Sequence, residues 1–560
     1  MSENTKIELP PKYYLDYFTF LLRFVERMYT PILNDAELSF LRQFDQLSQD
    51  AQCLYIRFSN RKGSFFRVNK LKYAEIDDIP AALYELADGG FIAPLSDSHA
   101  ADLEEILGVL TREDLLKLTP ATSWVRALKK PELVRFLRLE HPSADLIDAI
   151  NNLEAIVRTS REVEVMMFKF LFFGNRHGDM TEFVVRDLGM INFQQYREDE
   201  YTARFASRQE AEDKLLVSLA NEQFFELKDQ KQLPPEDVFH WFASWRLTVP
   251  NLSAVAMPGF HKLANRVGLF LERQKCADQA LSVYELTDQA PARERRARLL
   301  LKTGAPDEAL ALCDDIERTA QNADERFFAL DFKAQILNTK KRTKKSTTQF
   351  LQNATSVAIP ASNRGRVEAG VVAHYNQNGH HAVHCENYPW RGLLGLVFWD
   401  IIFDTNVQAI HHPLQRIPSD FYLPDFFEKR QTQIHAHLNT LKTTQDYDAW
   451  IDKIFDQKYG TANVLVEWSD VMLALVKLLI SKLTPQQLTN ILLEMAANMR
   501  ENTHGFPDLF VWTDNSYELV EVKSPTDHLS AQQLHWLKLF DQWGVNAKVL
   551  RVVWEDIPTQ

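Results

Sequence analysis

From Tyr13 to Tyr29 apolar residues recur at every third or fourth position, which predicts an amphipathic helix. The stretch QCLYIRFSNRKGSFFRVNKLKY, Gln52 to Tyr73, begins with the same spacing. It then interleaves Arg57, Arg61, Lys62, Arg67, Lys70 and Lys72 with Phe58, Phe65, Phe66 and Tyr73. Basic positions beside aromatics suit contact with nucleic-acid phosphates. A solvated face over an aromatic core is the alternative. Leu103 to Glu140 reads as short helices, LEEILGVLTREDLLKL and then ALKKPELVRFLRLE, with Thr111 and Asp114 spaced to cap one of them. Lys129, Lys130 and Pro131 open the second, so this pair is either a small DNA-binding unit or a helical spacer.

From about 205 to 340 the pattern is almost wholly helical. Leu269 onward repeats weakly further on, with Ala280-Leu281 falling on Ala309-Leu310 and Leu271 on Leu300. Paired helices with small residues at their contacts suggest a tetratricopeptide-like solenoid, with an irregular bundle as the alternative. Between the two copies lie Arg293, Arg295, Arg296 and Arg298, which a helix spreads over more than one side. NTKKRTKKSTTQ, Asn338 to Gln349, lacks an apolar period and reads as a loop.

Towards the C-terminus the period changes. Pro485 to Arg500 is helical, while Leu509–Trp512 and Tyr517–Val522 are short apolar runs separated by the turn residues Thr513-Asp514-Asn515-Ser516. Ser530 and Gln533 form a capping box for a helix through Trp543, Gly544 ends it, and AKVLRVVW reads as a strand. Helix, strand, strand, helix, strand is an α/β pattern. The fold class expected is α+β multidomain, mainly helical in its N-terminal and tetratricopeptide-like regions, with a C-terminal α/β core.

Composition narrows the chemistry. The chain has 560 residues, is 45% hydrophobic and 25% charged, and shows no long apolar run of the kind that spans a membrane. Its start, MSENTKIELPPKYY, lacks a secretory signal pattern. The four cysteines, Cys53, Cys276, Cys313 and Cys385, are scattered, which argues against disulfides or a cysteine-rich zinc site and for a reducing, cytoplasmic compartment. A net charge of −13, taken alone, argues against a general nucleic-acid coat but does not exclude local basic tracks.

The hairpin carries the sharpest signal. If residues 513–516 form its loop, Trp512 faces Tyr517 and, counting outward, Asp508 faces Glu521. Opposed side chains of antiparallel strands stand roughly 4.5–5.5 Å apart, so two carboxylates there repel unless something neutralises them. A divalent cation does so, and hard oxygen donors suit Mg²⁺ or Mn²⁺, as one or two ions. Lys523 shares a strand face with Glu521, where an ammonium can meet developing phosphate charge. The carbonyl of Val522 is a further donor. In GHHAVHCENYPWRGLLGLVFWDIIF, Glu386 precedes a long apolar helix and offers another hard-metal carboxylate. His380, His381 and His384 lack the spacing of a zinc motif and read as structural or DNA-facing. Gln533 is the cap partner of Ser530, or reaches DNA or a metal-bound water.

GFPDLFVW…YELVEVKSPTDHLSAQQLHWLKLF resembles the virus-type replication-repair nuclease (VRR-NUC) domain, a branch of the PD-(D/E)xK nucleases. HCENYPWRGLLGLVFWDIIF and LYIRFSNRKGSFFRVNKLKYAEI resemble segments of the Fanconi-associated nuclease family. The resemblance spans most of the chain and is to a bacterial-type member.

It implies a structure-selective DNA endonuclease that incises near 5′ flaps, with 5′→3′ exonuclease activity, in interstrand-crosslink repair. Its partner would be branched DNA, bound by a monomer or by a dimer on DNA. Glu386, Asp508, Glu521 and Lys523 match the catalytic motif. Arg500 falls at a phosphate-contacting arginine, and the Arg293–Arg298 cluster is a candidate for a second. The implied domains are 1–98 (DNA-binding, winged-helix-like), 99–145 (SAP-like), 146–204 (connecting), 205–345 (tetratricopeptide-like) and 346–560 (nuclease with a helical insertion). No cysteine cluster supports the ubiquitin-binding finger of animal members. Ser524 and His528 depart from the family pattern, which has Gly and Arg there. A junction resolvase and a non-catalytic DNA-binding adaptor are the rival readings.

Overall fold

The computed structural model describes residues 8–119, 122–230, 233–338, 343–443 and 446–555. Residues 1–7 of the N-terminal start and 339–342 of the basic loop lie outside them. The chain packs as two compact units, one of residues up to 190 with 203–211, the other of 191–202 with 212–560.

In the first unit the Tyr13–Tyr29 helix buries Phe18, Leu21 and Val25, as its period requires. Strands β1 (Phe65–Arg67), β2 (Ile92–Pro94) and β3 (Ile156–Thr159) form an antiparallel sheet in the order β1-β3-β2. Phe65 and Ile156 share one core with Leu103, Leu115, Leu133 and Ile147, so packing runs continuously across residue 98. Thr111 and Asp114 cap each other's backbone N–H groups at 3.3 and 3.2 Å.

In the second unit the weak repeat corresponds to successive helix pairs, Met257–Arg273 with Ala277–Tyr284 and Ala292–Thr303 with Pro306–Thr319. Ala280 and Ala309 are both fully buried, which is why a small residue recurs at that position. Ser346–Gln352 is a helix where a loop was expected. Asp331 accepts from both the backbone N–H (3.0 Å) and the hydroxyl (2.6 Å) of Ser346, anchoring its first turn.

The C-terminal sheet contains β4 (Thr355–Pro360), β5 (His381–His384), β6 (Leu509–Trp512), β7 (Tyr517–Lys523) and β8 (Ala547–Glu555) in the order β4-β8-β7-β6-β5. β7, β8 and β4 run parallel; β6 is antiparallel to both β7 and β5. The Ala531–Trp543 helix is the crossover that parallel β7 and β8 require. Alternation along the strands divides the sheet's faces. Leu509, Val511, Val520 and Val522 pack with Val371 on one side. Phe510 and Leu519 pack with Trp390, Trp536 and Phe540 on the other. Sequence reading missed β4 and β5, two short edge strands whose side chains are mostly exposed and which therefore lack a strong apolar alternation.

Candidate active site

The hairpin adopts the register counted from its turn, with Trp512 opposite Tyr517 and Leu509 opposite Val520. Thr513 N–H donates to the Ser516 carbonyl at 2.9 Å and the two hydroxyls are 2.7 Å apart, closing the four-residue loop. Lys482 Nζ donates to the Thr513 carbonyl at 3.0 Å and ties the turn to a neighbouring helix. Glu521 and Lys523 thus share the face of Leu519, while Val522 turns its side chain into the opposite core. Inserting one residue into 513–516 reverses which face one strand presents. The expected result is loss of DNA cleavage, measured on purified protein, although no candidate ligand is altered.

Asp508 is delivered by a packed loop rather than by β6 itself. Gly505 takes φ +85°, and a Cβ there would lie 2.7 Å from the Gln532 side chain and 3.1 Å from its backbone. Glycine therefore lets the loop lie against the Ala531–Trp543 helix. Phe506 then stacks between Trp390 and Trp536, with centroids 4.7 and 4.2 Å away. Trp536 Nε1 donates to the His504 carbonyl at 3.0 Å. The Asp508 carboxylate accepts from Val522 N–H at 2.7 Å, which sets it beside Glu521.

Glu521 is 1% exposed. Its Oε1 accepts from Lys523 Nζ at 2.7 Å and from Gln533 Nε2 at 2.6 Å. Its Oε2 is buried with no hydrogen-bond partner. Burial first, then the charge of Asp508, pushes the Glu521 carboxyl up to about 8. Burial pushes Asp508 up to about 6, against the Val522 N–H and Lys523, and the charges of Glu386 and Glu368 add to the rise. A buried carboxylate with an orphan oxygen, raised first by burial and then by neighbouring acids, is a group that added positive charge would stabilise.

Among the described residues no three His, Cys, Asp or Glu side chains are already gathered as a finished cage. The donor chemistry nonetheless fits a hard divalent cation, with Glu521 Oε2 as the free ligand and Asp508 and Glu386 carrying the remaining charge.

The structure separates the expected contact residues. Gln533 is committed at both ends: its oxygen accepts from Ser530 N–H at 3.0 Å while its nitrogen holds Glu521. It supports the acid. Arg67 is largely buried and ion-paired with Asp114 (2.7 Å) and Glu154 (2.5 Å), so its charge is neutralised within the fold. Arg57 pairs with Glu75 at 2.5 Å beneath Tyr14. Lys130 Nζ donates to the Gly108 carbonyl at 2.6 Å. Arg61, Lys62, Lys70, Lys72, Lys129 and Arg500 are exposed.

Arg293 is buried against Glu325 at 2.7 Å and Arg295 reaches Glu272, each joining two helices, while Arg296 pairs with Asp288 and Arg298 with Glu294 of its own helix. Lys262, which sequence reading missed, lies in the fields of both Arg266 and Arg500. Burial, then Arg266 and Arg500, holds the Lys262 ammonium below its usual range. Glu368 was missed too, because nothing local marks it. Asn387 was passed over although it adjoins Glu386.

Residues 12–93 match the family described as FAN1, HTH domain, and residues 442–554 match the VRR-NUC domain. A Fanconi-associated nuclease 1 homolog of Pseudomonas aeruginosa is 26% identical over 97% of this chain and 96% of its own. Fanconi-associated nuclease 1 of Homo sapiens is 23% identical over 97% of this chain and 62% of its own. The crystal structure of paFAN1 bound to 2nt 5′ flap DNA with gap superposes with a TM-score of 0.83 at 24% identity, covering 98% of this chain and 100% of that one.

Proposed function

Because the chain carries a FAN1 HTH domain and a VRR-NUC domain, it belongs with the Fanconi-associated nucleases, and we propose that it incises branched DNA near 5′ flaps. It is a structure-selective DNA nuclease. We further propose 5′→3′ exonuclease activity, a role in interstrand-crosslink repair and action as a monomer. The observation that carries the reading is the orphan Oε2 of buried Glu521 beside Asp508, with Lys523 on the same strand face.

Glu386, Asp508 and Glu521, with the Val522 carbonyl, would hold one or two Mg²⁺ or Mn²⁺ ions. Such an ion supplies a water of lowered pKa and stabilises the leaving oxygen. Gln533 and Lys523 fix Oε1 of Glu521, leaving Oε2 to the cation. Lys523, 8% exposed and paired with Glu521 Oε1, would meet the charge of the scissile phosphate and help to orient the attacking water. The buried surroundings sharpen each of these charge contacts.

Lys262, Arg266 and Arg500 form the phosphate subsite of this reading. Among the described residues none of the three is ion-paired with a carboxylate, and Lys262 is held below its usual range by burial and by the charges of Arg266 and Arg500, a setting that an anion would relieve. Lys262→Ala and Arg500→Ala are each expected to weaken metal-free flap binding and to reduce the salt slope by about one unit. Fluorescence anisotropy titrations across salt concentrations measure this. Unchanged slopes would remove the three cations from the DNA path.

The central test incubates purified protein with end-labelled 5′-flap and four-way-junction DNA in Mg²⁺, Mn²⁺ or chelator, and sizes the products. Metal-dependent incision of the flap is expected. Metal-independent cutting, or preference for the four-way junction, overturns the proposal.

A further inference from the structure

Asn387 sits at φ 44° and ψ −54°, a positive φ for a residue with a side chain. The Tyr388 N–H donates to the Glu386 carbonyl at 2.5 Å across it, closing a three-residue turn. Turns of this hand are rare and strained. Asn387 also occupies the N-cap position of the Tyr388–Val397 helix. Asparagine is favoured there because its side-chain oxygen accepts a backbone N–H of the first turn. Here it makes no such bond.

Its amide is directed elsewhere. Nδ2 donates to Oε1 of Glu386 at 2.9 Å, and Oδ1 accepts from Phe506 N–H at 3.2 Å. On the other side of Glu386, Cys385 N–H donates to the Asp508 carbonyl at 2.7 Å. Both neighbours of Glu386 are therefore strapped to the Phe506–Asp508 segment, which Trp390 and Trp536 hold in place. Helix capping does not account for a strained residue that forgoes the cap, and strain of this kind persists where the surroundings over-determine it.

We propose that Asn387 is a positioning residue for cleavage, its amide linking the Glu386 carboxylate to the Phe506–Asp508 segment and so setting the separation of two acids that share the cation. This rests on the reading of Glu386 and Asp508 as cation ligands. Groups that orient a metal ligand through a hydrogen bond change metal affinity by about 10–100-fold when removed.

Asn387→Gly is the discriminating variant. Glycine adopts the positive φ without a Cβ clash but provides neither side-chain bond. Calorimetric titration of the full chain with MnCl₂, without DNA, reads the metal directly; the thermal transition in chelator reads the fold; flap cleavage is followed against Mn²⁺ concentration. The expected result is an unchanged or raised metal-free transition and Mn²⁺ binding weakened by about 10–100-fold. Cleavage should recover at high Mn²⁺.

Glu386→Gln is the companion. If it loses Mn²⁺ binding while Asn387→Gly binds like the parent, or more tightly, the positioning role is overturned and the ligand role of Glu386 stands. If Glu386→Gln itself binds Mn²⁺ like the parent, the ligand reading fails first and the positioning role with it. Should Asn387→Gly lose its thermal transition, Asn387→Ser reads the same contact. It has no amide to reach Glu386, and normal Mn²⁺ binding by it likewise overturns the proposal.

Discussion

Glu521→Gln and Asp508→Asn are each expected to lower cleavage of 5′-flap DNA by roughly a thousandfold or more, with metal-free binding of the same DNA little changed. Both substitutions keep shape and hydrogen bonding. The amide oxygen of glutamine can still accept from Lys523 and Gln533, which now hold Oε1 of Glu521 at 2.7 and 2.6 Å. Asparagine can still accept from Val522 N–H, as Asp508 does at 2.7 Å. Only the negative charge is removed. Gel-based cleavage and anisotropy on the same preparations separate chemistry from binding. Normal turnover by either variant would sink the assignment of the site. The glutamine variant should also be no less stable than the parent in chelator at pH 8, because it deletes a buried charge whose Oε2 has no partner.

The second large effect couples stability to pH and metal. Asp508 is raised from 3.8 to about 6 and Glu521 from 4.5 to about 8, both first by burial and then by neighbouring acids. The folded protein therefore holds protons that the unfolded chain has released. Stability is fully present below the unfolded values and is lost as pH rises through the folded ones. In chelator, the melting temperature should fall between about pH 5 and pH 8, with a free-energy change on the order of several kcal/mol shared by the pair. Saturating Mn²⁺ should oppose the fall, because the cation takes the place of those protons, and its stabilisation should grow with pH. Thermal melts at fixed ionic strength measure both arms. A flat pH profile in chelator would mean that the two carboxyls are not held against their charge. Glu521→Gln should flatten most of the slope.

Much of the hairpin was legible because its signals are local. Period-two apolar runs, a four-residue turn and the acid-x-lysine ending of β7 lie within a short span, and the observed register follows from them. The Ser530–Gln533 box and Gly544 terminator mark the crossover helix for the same reason. The edge strands were not legible. His381–His384 alternates weakly because two of its residues face solvent. The basic track of Gln52–Tyr73 shows the limit from the other side. Arg67 looks like its neighbours in sequence, yet Asp114 and Glu154 reach it from distant parts of the chain. Arg293 is likewise claimed by Glu325.

By itself, the order of residues determined the two strands that present Glu521 and Lys523, the turn that pairs them, and the helix that returns the chain to a parallel strand. Those features depend on backbone preferences and on alternation over neighbouring residues, which any reader of the chain can count. The tertiary structure decided which charges remain available and where the acids meet. Gly505 admits the loop, Phe506 locks it between Trp390 and Trp536, and Asn387 ties Glu386 to that segment. These contacts join residues far apart along the chain. Their formation depends on packing and on the electrostatic cost of burial, neither of which has a period that a sequence displays.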